Sequence, residues 1–229
     1  MTTSGVATFN VDLTELVEEA FERAGSELRT GYDLRTARRS LNLLFAEWAN
    51  RGVNMWTFEQ GTIPLVQGVA TYVLPEATVD LLEHVVRTNS GSASSQADIS
   101  ITRISISTYA SIPNKISQGR PIQLLVNRLE APSITVWPVP NQSDYYTLVY
   151  WRLRRIQDAG TGVNTMDVPF RFLPAMVAGL AYYLALKVPN GENRLQILQQ
   201  QYAEAWDLAS TEDREKAAVR FVPRSLPIT

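Results

Sequence analysis

Several residue types that carry chemistry or crosslinks are scarce in this chain of 229 residues. It has no cysteine, which excludes disulfide bonds, thiolate nucleophiles and cysteine-ligated metals. Its single histidine, His84, excludes a multi-histidine zinc site and disfavours a histidine-based catalytic triad. Lysine is rare as well, because only 3 of the 21 basic residues are lysines and the other 18 are arginines.

The chain is also close to neutral. Its 23 acidic and 21 basic residues give a net charge of −2, which argues against a wholly basic nucleic-acid binder. Arginine makes forked, planar contacts that lysine cannot make, so the excess indicates subunit interfaces or phosphate contacts. A GC-rich coding bias explains the same excess, and residue usage alone leaves both interpretations open.

Signatures of catalysis are missing from the sequence. It contains no glycine-rich phosphate loop, no Gly-x-Ser-x-Gly elbow, no His-Glu-x-x-His and no calcium loop. His84 lies within an apolar run that predicts a strand, where a structural histidine is the better interpretation. We therefore expect that this protein is not an enzyme and that it has no catalytic residue, no metal site and no cofactor.

No segment is suited to the membrane. The uncharged, strongly apolar stretch at residues 172–186 would form a helix of roughly 22 Å, shorter than the ~30 Å hydrocarbon layer. We therefore expect a buried core helix there and no membrane partner.

Two amphipathic helices are predicted at the start of the chain, over residues 12–24 and 33–51. Asp12 and Gly25 have the character of caps for the first helix. The outer face of the first helix is acidic and that of the second is basic, which predicts an antiparallel pair or neighbouring copies that meet through opposite charges. The resulting inter-subunit candidates are Glu15, Glu18, Glu22, Arg35, Arg38 and Arg39.

Short strands with turns between them fill residues 53–158, which predicts an antiparallel sandwich or barrel. The last of these strands covers residues 145–156. Its alternation predicts that Thr147, Val149 and Trp151 face the core, whereas the opposite set ends in arginines on the surface. Arg152, Arg154 and Arg155 are further inter-subunit candidates, and an exposed strand end neutralised by carboxylates is the alternative interpretation.

Helix returns over residues 159–217, first as the apolar stretch 172–186 and then as a long amphipathic helix from about residue 193 to 217. The final residues, 218–229, contain two prolines and several large apolar side chains, which predicts an extended arm or a frayed terminus. The expected fold is α+β. A four-helix bundle combines residues 1–52 and 159–217, an inserted antiparallel β-sandwich or barrel-like domain spans 53–158, and an extended C-terminal arm follows.

Seven segments, in the same order along the chain, resemble head-to-tail adaptor proteins of short-tailed bacteriophages. This family is also described as connector, tail accessory, packaged-DNA stabilisation or tail tubular A-like. The resemblance covers residues 10–223 and is carried by ARRSLNLLFAEWANRGVNMW (37–56), STYASIPNK (107–115), GRPIQ (119–123), ITVWPVP (134–140), YWRLRRIQDAG (150–160), VPFRFL (168–173) and GLAYYLA (179–185).

The resemblance implies a structural role in the neck or tail region of the virion for a protein made in the host cytoplasm. Such adaptors form a ring, expected to have about 12 copies, between the portal protein and the tail nozzle and fibres or spikes. They retain the packaged double-stranded DNA, which passes through without sequence-specific contact at ejection. In these proteins the C-terminal helix and tail reach into the portal. The matching candidates for portal binding are Trp206, Arg214, Arg220, Phe221, Val222, Arg224 and Leu226.

Two other functions stay open at this point. One is a different neck or tail subunit, such as a component of the nozzle or tail tube. The other is a virion-associated cell-wall hydrolase that depends on carboxylates.

Overall fold

A computed structural model describes residue 5 and residues 9–29, 31–52, 55–161, 163–189 and 191–214. The chain divides into two compact units, of which one combines Met1–Phe45 with Asp158–Thr229 and the other is Ala46–Gln157. The described residues form five α-helices: α1 (Leu13–Ala24), α2 (Gly31–Arg51), α3 (Ile106–Ala110), α4 (Leu173–Ala185) and α5 (Leu195–Glu212). They also form ten strands: β1 (Phe58–Pro64), β2 (Thr71–Val73), β3 (Thr78–Thr88), β4 (Ala97–Ser100), β5 (Thr102–Ile104), β6 (Gln118–Gly119), β7 (Gln123–Asn127), β8 (Ser133–Trp137), β9 (Val139–Pro140) and β10 (Tyr146–Arg154).

Helix α1 begins and ends where its sequence predicts. The Asp12 side chain accepts a hydrogen bond from the Glu15 backbone N–H at 2.9 Å, which satisfies a donor that the first turn leaves free. Gly25 ends the helix in the left-handed conformation with φ at 87°, which glycine adopts without steric cost. The predicted apolar face is buried, and it consists of Leu13, Leu16, Val17, Ala20, Phe21 and Ala24.

Helix α4 is enclosed on nearly all sides, as expected for a helix without charged residues. At Gly179 a Cβ atom would lie 2.9 Å from atoms of both Leu44 on α2 and Tyr202 on α5. Glycine at this position therefore lets both neighbouring helices approach α4 closely. Among the described residues, none of the helices has both the length and the apolar character required to cross a bilayer.

The C-terminal helix differs from its prediction at both ends. A 3-10 turn, Gly191–Arg194, precedes α5, and the helix ends at Glu212 rather than near residue 217. At Asp213 the backbone leaves the helical region, and the Asp213 side chain forms an ion pair with Arg171. The expected arm, residues 218–229, lies outside the described residues.

The β unit contains two four-stranded sheets that share one hydrophobic cluster. Their strand orders are β1-β10-β3-β4 and β2-β8-β7-β5, and a small third sheet pairs β6 with β9. The cluster joins side chains from both large sheets, for example Leu148 on β10 and Ile134 on β8. The α+β class is confirmed. Within the described residues no sheet closes into a barrel, and the β5–β7 and β6–β9 pairs are parallel, so the expected purely antiparallel arrangement is wrong at these two places.

The prediction for the faces of β10 is largely wrong, although Val149 is fully buried as expected. Tyr146, Leu148 and Tyr150, the set expected on the surface, belong to the hydrophobic cluster, whereas Trp151 is exposed. The physical reason is that apolar side chains occupy both faces of β10, so alternation alone does not identify the face that packs on the second sheet. Tyr150 also packs over its cross-strand neighbour Gly61, where a Cβ would lie 2.4 Å from the tyrosine ring.

Candidate interaction surfaces

The acidic face of α1 is exposed as predicted. Glu15, Glu18 and Glu22 are solvent-exposed, and no cation pairs with any of them among the described residues. Glu19 on the same face accepts a hydrogen bond from Arg23 Nε at 2.7 Å, an i, i+4 pair of modest energy. The face therefore presents three free carboxylates and no large exposed apolar side chain.

The basic face of α2 carries charge of the opposite sign. Arg35, Arg38 and Arg39 are exposed, and within the described parts of the chain none of them forms an ion pair. Lys187 lies nearby, where its Nζ donates to Ser40 Oγ at 2.6 Å. Burial lowers the pKa of Lys187, and the positive charge of Arg39 lowers it further. The face is thus positively charged without neutralisation.

The arginines at the end of β10 have a different environment. The Arg152 side chain is only 12% exposed, and its guanidinium donates to Glu59 at 2.6 Å and to the Thr78 hydroxyl at 2.9 Å. Arg154 donates to the Arg155 carbonyl at 3.0 Å, and Arg155 is exposed. Arg152 therefore links three neighbouring strands and satisfies a buried hydroxyl, a structural task that leaves little of it accessible.

Other arginines of the β unit are neutralised in the same way. Asp80 lies 2.9 Å from Arg103 Nη2 and 3.6 Å from Arg128 Nη1. Arg87 forms a forked pair with Asp98, with distances of 2.7 and 2.8 Å. Arg87 and Asp98 are cross-strand partners on β3 and β4, whereas Asp80 and Arg103 come from different sheets, so tertiary structure rather than local sequence brings these charges together.

The C-terminal end of α5 is anchored to the turn before α4. The Trp206 ring is half-buried and packs edge-on against Phe172, with 5.6 Å between centroids. The Asp213 carboxylate is 3% exposed and forms an ion pair with Arg171, whereas Arg214 is exposed. Of the portal-binding candidates, only Trp206 and Arg214 are described. Those that lie outside the described residues are Arg220, Phe221, Val222, Arg224 and Leu226.

His84 is half-buried on β3, directly opposite Tyr150 on β10. Among the described residues neither of its ring nitrogens has a hydrogen-bond partner. Burial lowers the pKa of His84 because it penalises the charged imidazolium. In the described parts of the chain no cluster of three histidine or carboxylate side chains could hold a metal ion.

Helix α5 carries an exposed stripe that sequence reasoning missed. Ile197 is 61% exposed and Leu208 is 74% exposed, and Gln201 and Glu204 lie between them at helical spacing. A groove of about 500 Å³ runs beside this stripe, and its apolar lining comes from α4 and α5. The i, i+4, i+7, i+11 spacing was the available signal, but the larger buried face of the same helix concealed it.

Comparison with known proteins adds one positive finding. A family model described as "SU10 adaptor protein" matches residues 11–224. No curated protein matches the chain.

Proposed function

This chain belongs to the SU10 adaptor protein family, and we propose that it forms a ring that joins the portal to the tail in the virion neck. The membership indicates an adaptor-type structural protein of a bacteriophage. The observation that carries the proposal is the family match over residues 11–224, nearly the whole chain. We expect the ring to contain about 12 copies, as the resemblance to head-to-tail adaptors implies, and to help retain the packaged DNA.

Unneutralised charge of both signs supports ring formation. In a ring each copy contacts its two neighbours through two unlike surfaces, so the surfaces must be complementary rather than identical. The exposed glutamates of α1 and the exposed arginines of α2 are suitable components of such surfaces. Arg152, Arg154 and Arg155 remain candidates, although Arg152 already has partners within its own sheet.

A helical bundle would give this ring a rigid wall. We propose that α1, α2, α4 and α5 make one four-helix bundle with the β unit as an insertion. The close approach of Leu44 and Tyr202 to Gly179 supports it, because it brings α2 and α5 against the same side of α4.

The proposed role is structural rather than catalytic. The sequence lacks a Gly-x-Ser-x-Gly elbow and a His-Glu-x-x-His motif, and its near-neutral charge suits a channel through which DNA must pass without tight phosphate binding. Genomic DNA would therefore contact the ring weakly and without sequence preference.

Portal attachment through the C-terminal segment provides the test. The full chain and a chain truncated after residue 217 would each be mixed with the portal protein, and binding measured by sedimentation. We expect the full chain to bind the portal and the truncated chain to bind at least about tenfold more weakly. Circular dichroism controls for folding, because the described helices all end before the truncation.

The other outcomes separate the alternatives. If neither chain binds the portal but both bind the isolated tail nozzle, the protein is a different neck or tail subunit. If both chains bind the portal equally, the portal-binding candidates in residues 218–229 are wrong. Release of peptidoglycan fragments by the purified chain, lost on substitution of one carboxylate, would establish the hydrolase alternative instead.

A further inference from the structure

The exposed side of α2 contains apolar side chains as well as arginines. Tyr32 and Leu43 are 65% and 54% exposed, and Arg35 and Arg39 lie between them. These four positions follow helical spacing and form one stripe about 16 Å long. A stripe with apolar ends and a charged centre is more typical of a helix that packs on a partner than of a solvated face.

The exposed stripe of α5 has the complementary composition over the same length. Ile197 and Leu208 lie at its ends, again eleven residues apart, with Gln201 and Glu204 between them. Helix α5 contains Glu204, Asp207 and Glu212 and no lysine or arginine, so its charge is opposite to that of the α2 stripe. Among the described residues no cation pairs with Glu204 or Asp207.

The two stripes lie outside the core that their helices share. Leu44 on α2 and Tyr202 on α5 are buried where both helices approach Gly179 of α4. The stripe of α5 borders the groove that Pro174 and Ala178 of α4 line, and the stripe of α2 lies opposite the buried face of its helix and is exposed. It can meet the stripe of a second copy.

We infer that the α2 stripe of one copy packs on the α5 stripe of the neighbouring copy. This inference rests on the proposed ring and names the surfaces that hold it together. Leu43 and Tyr32 supply apolar contact with Ile197, Leu208 and the groove beside them, and the arginines of α2 pair with Glu204 and Asp207. Such a contact joins two unlike surfaces, and its repetition closes a ring where the rotation between neighbouring copies divides a full turn.

The acidic face of α1 is a weaker candidate for the same partner. It offers glutamates to the arginines of α2, but it has no large exposed apolar side chain. Stable interfaces need an apolar centre, because exposed charge pairs alone contribute little and are screened by salt. Helix α5 supplies both charge and apolar surface, and α1 supplies only charge.

Charge reversal tests the pairing in the full chain. One variant carries Arg35→Glu with Arg39→Glu, and the other carries Glu204→Arg with Asp207→Arg. Each variant alone places like charges across every contact between copies. We therefore expect each variant to need an at least about tenfold higher protein concentration to load the same number of copies on the portal. Mixed in equal amounts, the two variants can alternate around the ring with opposite charges at each contact, and loading should return to within about threefold of the unsubstituted chain.

Three controls make the outcome decisive. Arg120→Glu reverses an exposed arginine of the β unit and should load normally. Reversal of Glu15 and Glu18 to arginine should itself load normally, and in a mixture with a labelled α2 variant it should not bring the label onto the portal. The absence of cysteine allows one label to be placed by Leu208→Cys, which should be protected from thiol reagents only after copies assemble.

Normal loading by both reversed variants would overturn the inference, as would rescue of the α2 variant by the α1 reversal. The cysteine of Leu208→Cys could instead be protected already in the unassembled chain and lose this protection on truncation after residue 217. That result would assign the groove to the C-terminal segment and would also overturn the inference. Failure of the unsubstituted chain to load on any portal would instead overturn the proposed function.

Discussion

Two groups of arginines in this protein look alike in the sequence and differ in the structure. Arg35, Arg38 and Arg39 on α2 are exposed and lack ion-pair partners among the described residues. Arg152 on β10 is largely buried and contacts both Glu59 and Thr78. Clustering of arginine in a sequence therefore does not identify an interaction surface, because the decisive factor is whether the fold supplies a carboxylate.

The difference follows from secondary structure. On α2 the neighbouring positions i±3 and i±4 belong to the same helix, so the sequence itself shows which charges are near the arginines. On β10 the neighbours come from β1 and β3, which are distant in sequence. Paired arginines should therefore contribute to stability, and unpaired ones to assembly.

The largest effect on stability is expected at the most buried ion pair. Asp213→Ala removes a carboxylate that is 3% exposed and leaves the Arg171 guanidinium without this partner. We expect the free energy of unfolding to fall by about 2–3 kcal/mol, less than for a fully buried pair because Arg171 is partly hydrated. Chemical denaturation monitored by circular dichroism measures it, and a change below about 0.5 kcal/mol would contradict the structural role of this pair.

A smaller loss is expected for Arg152→Met. Methionine preserves much of the apolar stem but leaves the buried Thr78 hydroxyl without its donor, so we expect a loss of about 1–2 kcal/mol in denaturant unfolding. The matched control is Arg155→Met, an exposed neighbour that should change stability by less than about 0.5 kcal/mol. Equal effects of the two substitutions would break the distinction between paired and exposed arginines.

The half-buried His84 should make stability depend on pH in a defined direction. Its pKa in the folded state is lowered by burial, so below about pH 6.5 the unfolded chain binds more protons than the folded chain. Stability should therefore fall as pH decreases from about 7 toward the folded-state pKa, and this contribution should level off below it. Because the chain has one histidine, His84→Gln should make the denaturation midpoint depend less on pH across this range. If the midpoint of the variant changes with pH as steeply as before, His84 is excluded as the cause.

The smallest effect on stability is expected on α2. Replacement of Arg35, Arg38 and Arg39 by glutamine should change the free energy of unfolding by less than about 0.5 kcal/mol, because exposed arginines without partners stabilise little. The same variant should load poorly on the portal, and sedimentation would show it. A destabilisation as large as that of Arg152→Met would mean that these arginines have partners within the chain. The difference between the arginines of α2 and Arg152 of β10 would then not hold.

Local signals made part of this fold predictable. The boundaries of α1 follow from Asp12, Gly25 and an apolar face, all within one short segment. The burial of α4 follows from its lack of charge. In both cases the determining interactions lie within a few turns of helix, where sequence spacing reports spatial proximity.

Long-range pairing made the rest unpredictable. The core-facing side of β10 depends on which of its faces packs on the second sheet, and both faces carry apolar residues. At the end of α5, Asp213 pairs with Arg171, which is 42 residues away. The exposed stripe of α5 became visible only when exposure separated Ile197 and Leu208 from the buried side chains of the same helix.

The assembled complex tests the central claim most directly. A cryo-electron microscopy map of the full chain mixed with its portal protein should show a closed ring of copies on the tail-facing side of the portal, with adjacent copies in contact through α2 and α5. A portal that binds no copies, or binds isolated copies without contact between neighbours, would contradict the proposal that this protein is a ring-forming adaptor.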